Sequence, residues 1–164
     1  MKDALDAAWR LHDAQMEWTG RVDAKASFIL TLDAAAIATG VALSAEGMTF
    51  HGIASTWLKV PYGISLTLFV VAAGLAAWAV APALRFRHLT EEAKVDFIYF
   101  GHVRHWDAAE LADTLTEQDL LPVLTRQIVR MSEIAWRKHC RAAWSAWLTG
   151  AGVVVMALTG WALS

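Results

Sequence analysis

A single cysteine, Cys140, in 164 residues has no partner within the chain, so no internal disulfide forms and the redox compartment stays open. Charge is scarce as well: Asp, Glu, Lys and Arg make up 18 % of the chain, against about 25 % in ordinary soluble domains. With a formal net charge of −2 and a pI near 6.3, the chain lacks the basic excess of a nucleic-acid polymer binder. No Walker loop, GxSxG, HExxH or paired-carboxylate motif is present, and no enzyme is expected. Internal repeats, linkers and low-complexity tracts are missing too, which predicts one domain over 1–164.

What is abundant is apolar surface. Hydrophobic residues form 57 % of the chain and the mean hydropathy is +0.39; the nine Trp suit a protein with many membrane–water interfaces, where an indole is half wet. A spanning helix needs about 20 mostly apolar residues, and three segments qualify. Residues 60–84 and 142–164 carry no charge. Residues 26–45 carry one, Asp33, which lies ~12 Å along its helix at 1.5 Å per residue and costs about 2.5–3.5 kcal/mol at a span centre. Its companions, mostly Ala, Leu, Ile and Val, can still carry it.

Orientation follows from Lys and Arg, which cytoplasmic segments retain. Thirteen of the 14 fall in residues 1–25 and 85–141, and only Lys59 stands between the first two spans. The N-terminus and the 85–141 segment are therefore expected in the cytoplasm, and the 46–59 loop and the C-terminus outside. Residues 1–25 are charged throughout and do not read as a signal peptide.

They read instead as an amphipathic helix, with Leu5, Trp9, His12 and Met16 on one face and Asp3, Asp6, Arg10, Asp13 and Glu17 opposite. Four acids against two bases in residues 1–20 disfavour anionic lipid as its partner and favour the protein's own helices. Gly20 either bends the chain or lies inside one helix from 3 to 45. After the second span, a stripe at Phe86, Leu89, Ala93, Phe97 and Phe100 predicts a helix, punctuated by Gly101. "WDAAELADTL" predicts a short helix with Asp107 as N-cap, and the Thr116 to Asp119 spacing resembles a capping box. Pro122 fits a first turn. From there Leu124, Ile128, Met131 and Ala135 mark one face of a helix expected to run unbroken from 122 to 163. The fold class is thus an all-α integral membrane protein: three transmembrane helices, an N-terminal amphipathic helix and a small helical cytoplasmic part.

His102 and His105 share a spacing that places two imidazoles on one helical face, but no Cys or carboxylate stands at ligand spacing and Asp107 comes too soon. No metal site and no cofactor are expected. Positive charge interleaves with aromatic groups at Tyr99, Phe100, Arg104 and Trp106, then at Arg126, Arg130, Trp136, Arg137 and Lys138. One reading is a site for a small anion with a flat ring, since guanidiniums pair with phosphate oxygens and an aromatic face stacks on a base. The other is that juxtamembrane Arg and Lys enforce orientation while the aromatics fill a core.

The stretches "EWTGRVDAKASFILTLDAA", "KVDFIYFGHV" and "LPVLTRQIVRMSEIAWRKHCRAAW" resemble the transmembrane effectors of Pycsar antiphage defence over most of the chain. In that family a pyrimidine nucleotide cyclase senses infection and makes 3′,5′-cyclic CMP or cyclic UMP; the effector binds it and impairs the inner membrane, causing abortive infection. The resemblance matches Asp23 and Lys25 to one element, Tyr99, Phe100 and Gly101 to a second, and Lys138 to a late basic position, after which His139 stands where an aromatic is frequent. The resemblance and the interleaved cations and aromatics together lead to the expectation that Arg126, Arg130 or Lys138 meets the cyclic phosphate with Lys25 near the first span, that Tyr99 or Phe100 stacks on the base, that Arg104 is a further ligand-binding residue, and that the protein forms a homo-oligomer among membrane lipids. Gly74, Ala73 and Ala77, and Gly150 and Gly152, offer close-packing faces for that. Two other classes stay open: a constitutive small channel or transporter, and a membrane scaffold without ligand.

Two acids carry double readings. Asp33 either is protonated or paired with Ser27, Thr31 or Thr39 and fixes helix register, or faces a water path in an opened assembly. Asp23 neutralises Arg21 or Lys25, or caps the first span.

Overall fold

A computed structural model describes residues 2–48, 50–51, 53, 56–82, 92–93 and 95–163. The described elements are α1 (Lys2–Leu43), α2 (Thr56–Val80), α3 (Phe100–Val103), α4 (Ala108–Glu117) and α5 (Leu120–Trp161). No strand occurs among the described residues, and α1, α2 and α5 are long and apolar enough to cross a membrane. The all-α membrane architecture expected from sequence is therefore present.

Local chemistry explains most of the boundaries. The α1 helix passes through Gly20 without a break and ends at Leu43; the following turn is closed at Gly47, whose φ of 76° favours a residue without Cβ. The α2 helix runs four residues earlier than expected at both ends. It stops at Val80 because Pro82 disfavours helical backbone in the residue before it; residues 83–84 lie outside those described. The Asp107 side chain accepts from Ala109 N at 2.8 Å, so α4 is capped as the sequence predicts. The capping box at Thr116 is not formed. Thr116 Oγ1 turns back to Ala112 O at 2.9 Å, while Asp119 accepts from Leu121 N at 3.1 Å and caps α5. A short polar chain directly before the helix reaches its free N–H groups better than one three residues further back.

Of the helix expected through Phe97 and Phe100, Glu92 is helical but the described residues from Ala93 to Tyr99 are not; Phe86 and Leu89 lie outside the described residues. After a turn at Glu92–Asp96 the chain is irregular until Phe100. The Trp106 indole donates to Ala93 O at 2.7 Å, taking the carbonyl that a helix would offer to Phe97. Gly101 sits inside α3 and does not punctuate it.

The chain forms two compact units, to which α1 and α5 both contribute. The charged unit holds residues 1–20 and 82–136, the apolar unit residues 21–81 and 137–164. In the charged unit, Ala8, Leu124 and Ile128 form a core with Leu5, Ile98 and Leu121 against it, and Gln15 Nε2 donates to Ser132 Oγ at 2.7 Å. The amphipathic helix does pack on the protein's own helices, but through Leu5, Ala8, His12 and Gln15. Trp9 and Met16, expected on that face, are exposed. Two helices approach closely only over small or polar-paired side chains, so Ala8 and Gln15 take the positions that bulk alone would give to Trp9 and Met16.

In the apolar unit α1, α2 and α5 run up, down and up. Tyr62 Oη donates to Gly40 O at 2.9 Å toward one end; Val22, Ala26, Ala79 and Ala142 form a core at the other. Between them Ser145 Oγ donates to Ala72 O at 2.8 Å, and the Phe69 ring lies so close to Gly152 that an added Cβ would stand 2.9 Å from it. Gly152 is thus used inside the chain, whereas Gly74 and Gly150 have open space around them. Along α5 the more buried positions are Lys138, Ala142, Ser145, Thr149, Gly152, Met156 and Thr159, alternating in steps of four and three as in helices that pack along a narrow seam.

Candidate functional site

The seven residues expected to touch a ligand separate into engaged and exposed groups, and their surroundings show what each can do. In the charged unit Asp96, which is buried, accepts from Arg126 Nε at 3.1 Å and lies 3.0 Å from Arg126 Nη2; its other oxygen accepts from Arg130 Nη1. Arg130 Nη1 also stands 3.7 Å from Glu92 Oε2. The two arginines sit one helical turn apart on α5, the spacing that lets one carboxylate reach both. Their side chains remain 44 % and 35 % exposed. A guanidinium has five N–H donors in a fixed fork; besides Asp96, Arg126 Nη2 donates to Val95 O at 3.5 Å, and the exposed part of each fork meets solvent.

Next to this cluster lies His102, 1 % exposed. Its Nε2 is 3.4 Å from Glu92 Oε2, and its Nδ1 meets no hydrogen-bond partner among the described residues. Burial holds the imidazole below its ordinary pKa of 6.5, outweighing Asp96 and Glu92, which pull it up; Arg130 adds to the lowering. The Tyr99 ring meets the His102 ring edge-on at 5.3 Å and the Phe100 ring at 4.5 Å. Gly101 is required here: the Tyr99 ring covers it so closely that a Cβ would overlap the ring. Phe100 is 68 % exposed. A continuous series of contacts therefore joins an open aromatic face at Phe100 through Tyr99, His102 and Glu92 to the arginine pair.

Arg104 is exposed, its Nε 3.1 Å from His105 Nε2. His105 lies beyond α3, away from the buried His102, so the two do not share a helical face; among the described residues no group of three His, Cys, Asp or Glu is placed to hold a metal.

Lys25 and Lys138 belong to the apolar unit. Lys25 is exposed. Lys138 is 5 % exposed and donates to both carboxylate oxygens of Asp23, at 2.7 and 2.9 Å. Asp23 thus pairs with the last helix, neither with Arg21 or Lys25 nor as a cap. Beside this pair the Arg141 guanidinium covers the Trp78 ring at 4.1 Å. Asp33, expected to bond within its own helix, bonds across to α5: Thr149 Oγ1 donates to Asp33 Oδ1 at 2.8 Å, while Thr31 bonds Ser27 O.

Sequence reasoning missed Asp96, Glu92 and Thr149. The signal for Asp96 was an isolated acid in the apolar run "VDFIYF", since a lone carboxylate there needs a cationic partner once buried. Thr149 gave no signal, because its importance depends on which helix faces Asp33.

No curated protein and no solved structure matches the chain. A family model described as the Pycsar effector protein domain matches residues 7–164, nearly the whole sequence and all three helices long enough to span a membrane. By that match the chain belongs to the Pycsar effector family and is one of its membrane-spanning members.

Proposed function

We propose that this protein is an inner-membrane effector switched on by 3′,5′-cyclic CMP or cyclic UMP, made by a pyrimidine nucleotide cyclase, and that the switched-on form breaches the membrane to abort infection. The observation that carries the reading is the Arg126–Arg130 pair, held side by side by Asp96 and still 44 % and 35 % exposed, and joined through Glu92, His102 and Tyr99 to the exposed face of Phe100. A cyclic phosphodiester offers one negative charge and two free oxygens to such a fork, and its base offers a plane to an aromatic ring. In this reading Arg126 and Arg130 bind the phosphate, Phe100 and Tyr99 take the base, and Asp96 is a positioning residue. The exposed Arg104 adds positive potential on the charged unit, while in the apolar unit Lys25 is exposed on a cytoplasmic N-terminal side and Lys138 serves through its pair with Asp23.

The two arginines and Thr149 lie on one unbroken helix, α5. A ligand that binds one arrangement of the arginines better than another shifts the balance by that difference in affinity and no more. Three helices from one chain enclose little space, so the active form is a homo-oligomer, with the open surfaces at Gly74 and Gly150 available for contact between copies.

Thermal unfolding of the detergent-solubilised chain with cCMP, cUMP, cAMP or cGMP tests this. Ligand at 100 times its Kd stabilises by about 2.7 kcal/mol, and a pyrimidine nucleotide is expected to raise the midpoint while purine nucleotides do not. Arg126→Ala and Arg130→Ala are expected to remove that rise, and Phe100→Ala to reduce it. A wild-type midpoint unmoved by all four nucleotides refutes the reading and leaves the constitutive channel or the scaffold.

A further inference from the structure

The apolar unit contains one arrangement that stability does not explain. Asp33 is 0 % exposed in the middle of an apolar run, and its Oδ2 has no hydrogen-bond partner among the described residues. The other oxygen meets Thr149 Oγ1, but that hydroxyl also lies 3.0 Å from Ser145 O. That single hydrogen is shared between the two acceptors or turned to one of them. The closed bundle therefore leaves this carboxyl short of hydrogen bonds whichever way the hydroxyl turns, and a buried polar atom without a partner is costly.

Its neighbours place it in a polar layer supplied by all three long helices. Asp33 comes from α1, Ser145 and Thr149 from α5, and the Ala72 carbonyl, already bonded by Ser145 Oγ, from α2. Toward the Asp23 end the layer is closed by the apolar cluster of Val22, Ala26, Ala79 and Ala142. Toward the Gly40 end the Phe69 ring rests on Gly152. The first plug is made of Val22 and three alanines and the second of one ring, with Leu66 and Met156 packed at Gly40 beyond it, so separation of the helices at these points admits water. Water reaching the layer meets the bonding demand that the closed bundle leaves unmet, and a wet carboxylate attracts cations and repels anions.

We propose that Asp33, oriented by Thr149, is the cation site of the opened protein: the group that draws water and monovalent cations into the bundle and gives the breach its ion preference. This rests on the membrane-breaching part of the reading above but not on the identity of the nucleotide.

The test uses the full chain in phosphatidylethanolamine–phosphatidylglycerol vesicles, with each of the four cyclic nucleotides and without any, and records K⁺ and Cl⁻ permeation separately. Wild-type protein is expected to pass K⁺ at least tenfold better than Cl⁻. Asp33→Asn is expected to bring that ratio close to one while any nucleotide-induced thermal shift persists; Thr149→Val, which keeps the acid but frees its orientation, should lower the ratio two- to fivefold. Should Asp33→Asn fail to fold, Thr149→Val decides by the same ratio. An unchanged ratio in the folded variants overturns the proposal, as do wild-type vesicles that stay sealed to both ions under every condition. Leaking, cation-preferring vesicles from a protein that shows no thermal shift overturn the nucleotide reading alone.

Discussion

In the charged unit one buried carboxylate, Asp96, faces two guanidiniums that stay more than a third exposed, whereas in the apolar unit Asp23 and Lys138 form a one-to-one pair with the lysine almost wholly covered. The first arrangement leaves donors over; the second closes on itself. The packing differs in the same sense. The charged unit surrounds its core of Ala8, Leu124 and Ile128 with aromatic contacts at Phe97, Tyr99, His102 and Trp106, while the apolar unit brings helices together over Ala26, Ala72, Ala76, Ala79 and Gly152. Half-open charge with aromatic rings suits capture of a polar ligand. Small residues in close register suit a bundle whose stability depends on distance and is lost over a small displacement.

The sharpest way to break this contrast is at Lys138. Removing its amino group leaves Asp23 facing apolar helices, and a fully buried pair broken this way loses ~3–5 kcal/mol. Asp23 is about one-third exposed, so water offsets part of this. Lys138→Ala is expected to lower unfolding stability by about 2 kcal/mol, measured by denaturant titration in detergent. A loss no larger than that of an exposed surface lysine would make the pair as open as the arginine cluster.

A smaller effect sharpens the packing half. Gly152→Ala sets a methyl group against the Phe69 ring and is expected to cost about 1–2 kcal/mol, at the lower end for overpacking. Gly74→Ala, with open space around it, should be neutral or slightly stabilising in the isolated chain, since Ala favours helix over Gly. Equal midpoints for the two variants would show that closeness at Gly152 contributes nothing.

The smallest effect belongs to His102. Because the folded chain holds its imidazole below 6.5, the unfolded chain takes up a proton more readily, and stability rises with pH across that interval. The contribution is complete above about pH 6.5 and is lost as the pH falls through the lowered folded value. Wild-type protein should therefore unfold at a lower temperature at pH 5.5 than at pH 7.5, and His102→Gln should flatten that difference. An unaltered slope in the variant would assign the acid sensitivity to other groups.

Much of the architecture was legible in the sequence because it follows from local composition. The uncharged runs at 60–84 and 142–164 mark their own spans, and Asp107 before "AAELADTL" marks its own cap. The partners of Asp23, Asp33 and Lys138 were not legible, since each lies more than 100 residues away along the chain and depends on how three helices are rotated against one another. Arg126 and Arg130 were legible as cations one turn apart, but Asp96 between them was not, because the stripe through Phe97 suggested a helix that the Trp106 indole interrupts at Ala93. The buried face of α1 was missed by one position at Ala8 and Gln15, where size outweighs hydrophobicity in deciding what fits.

The four-and-three rhythm along α5 from Lys138 to Thr159 bears on how such a chain can change over evolutionary time. Inserting or deleting one residue near Lys138 would swing every later side chain by about 100° around the axis, moving Thr149 off Asp33 and Gly152 off Phe69 in a single step. Exchanging one side chain for another in that helix keeps every later contact in register, whereas a one-residue change of length near Lys138 does not.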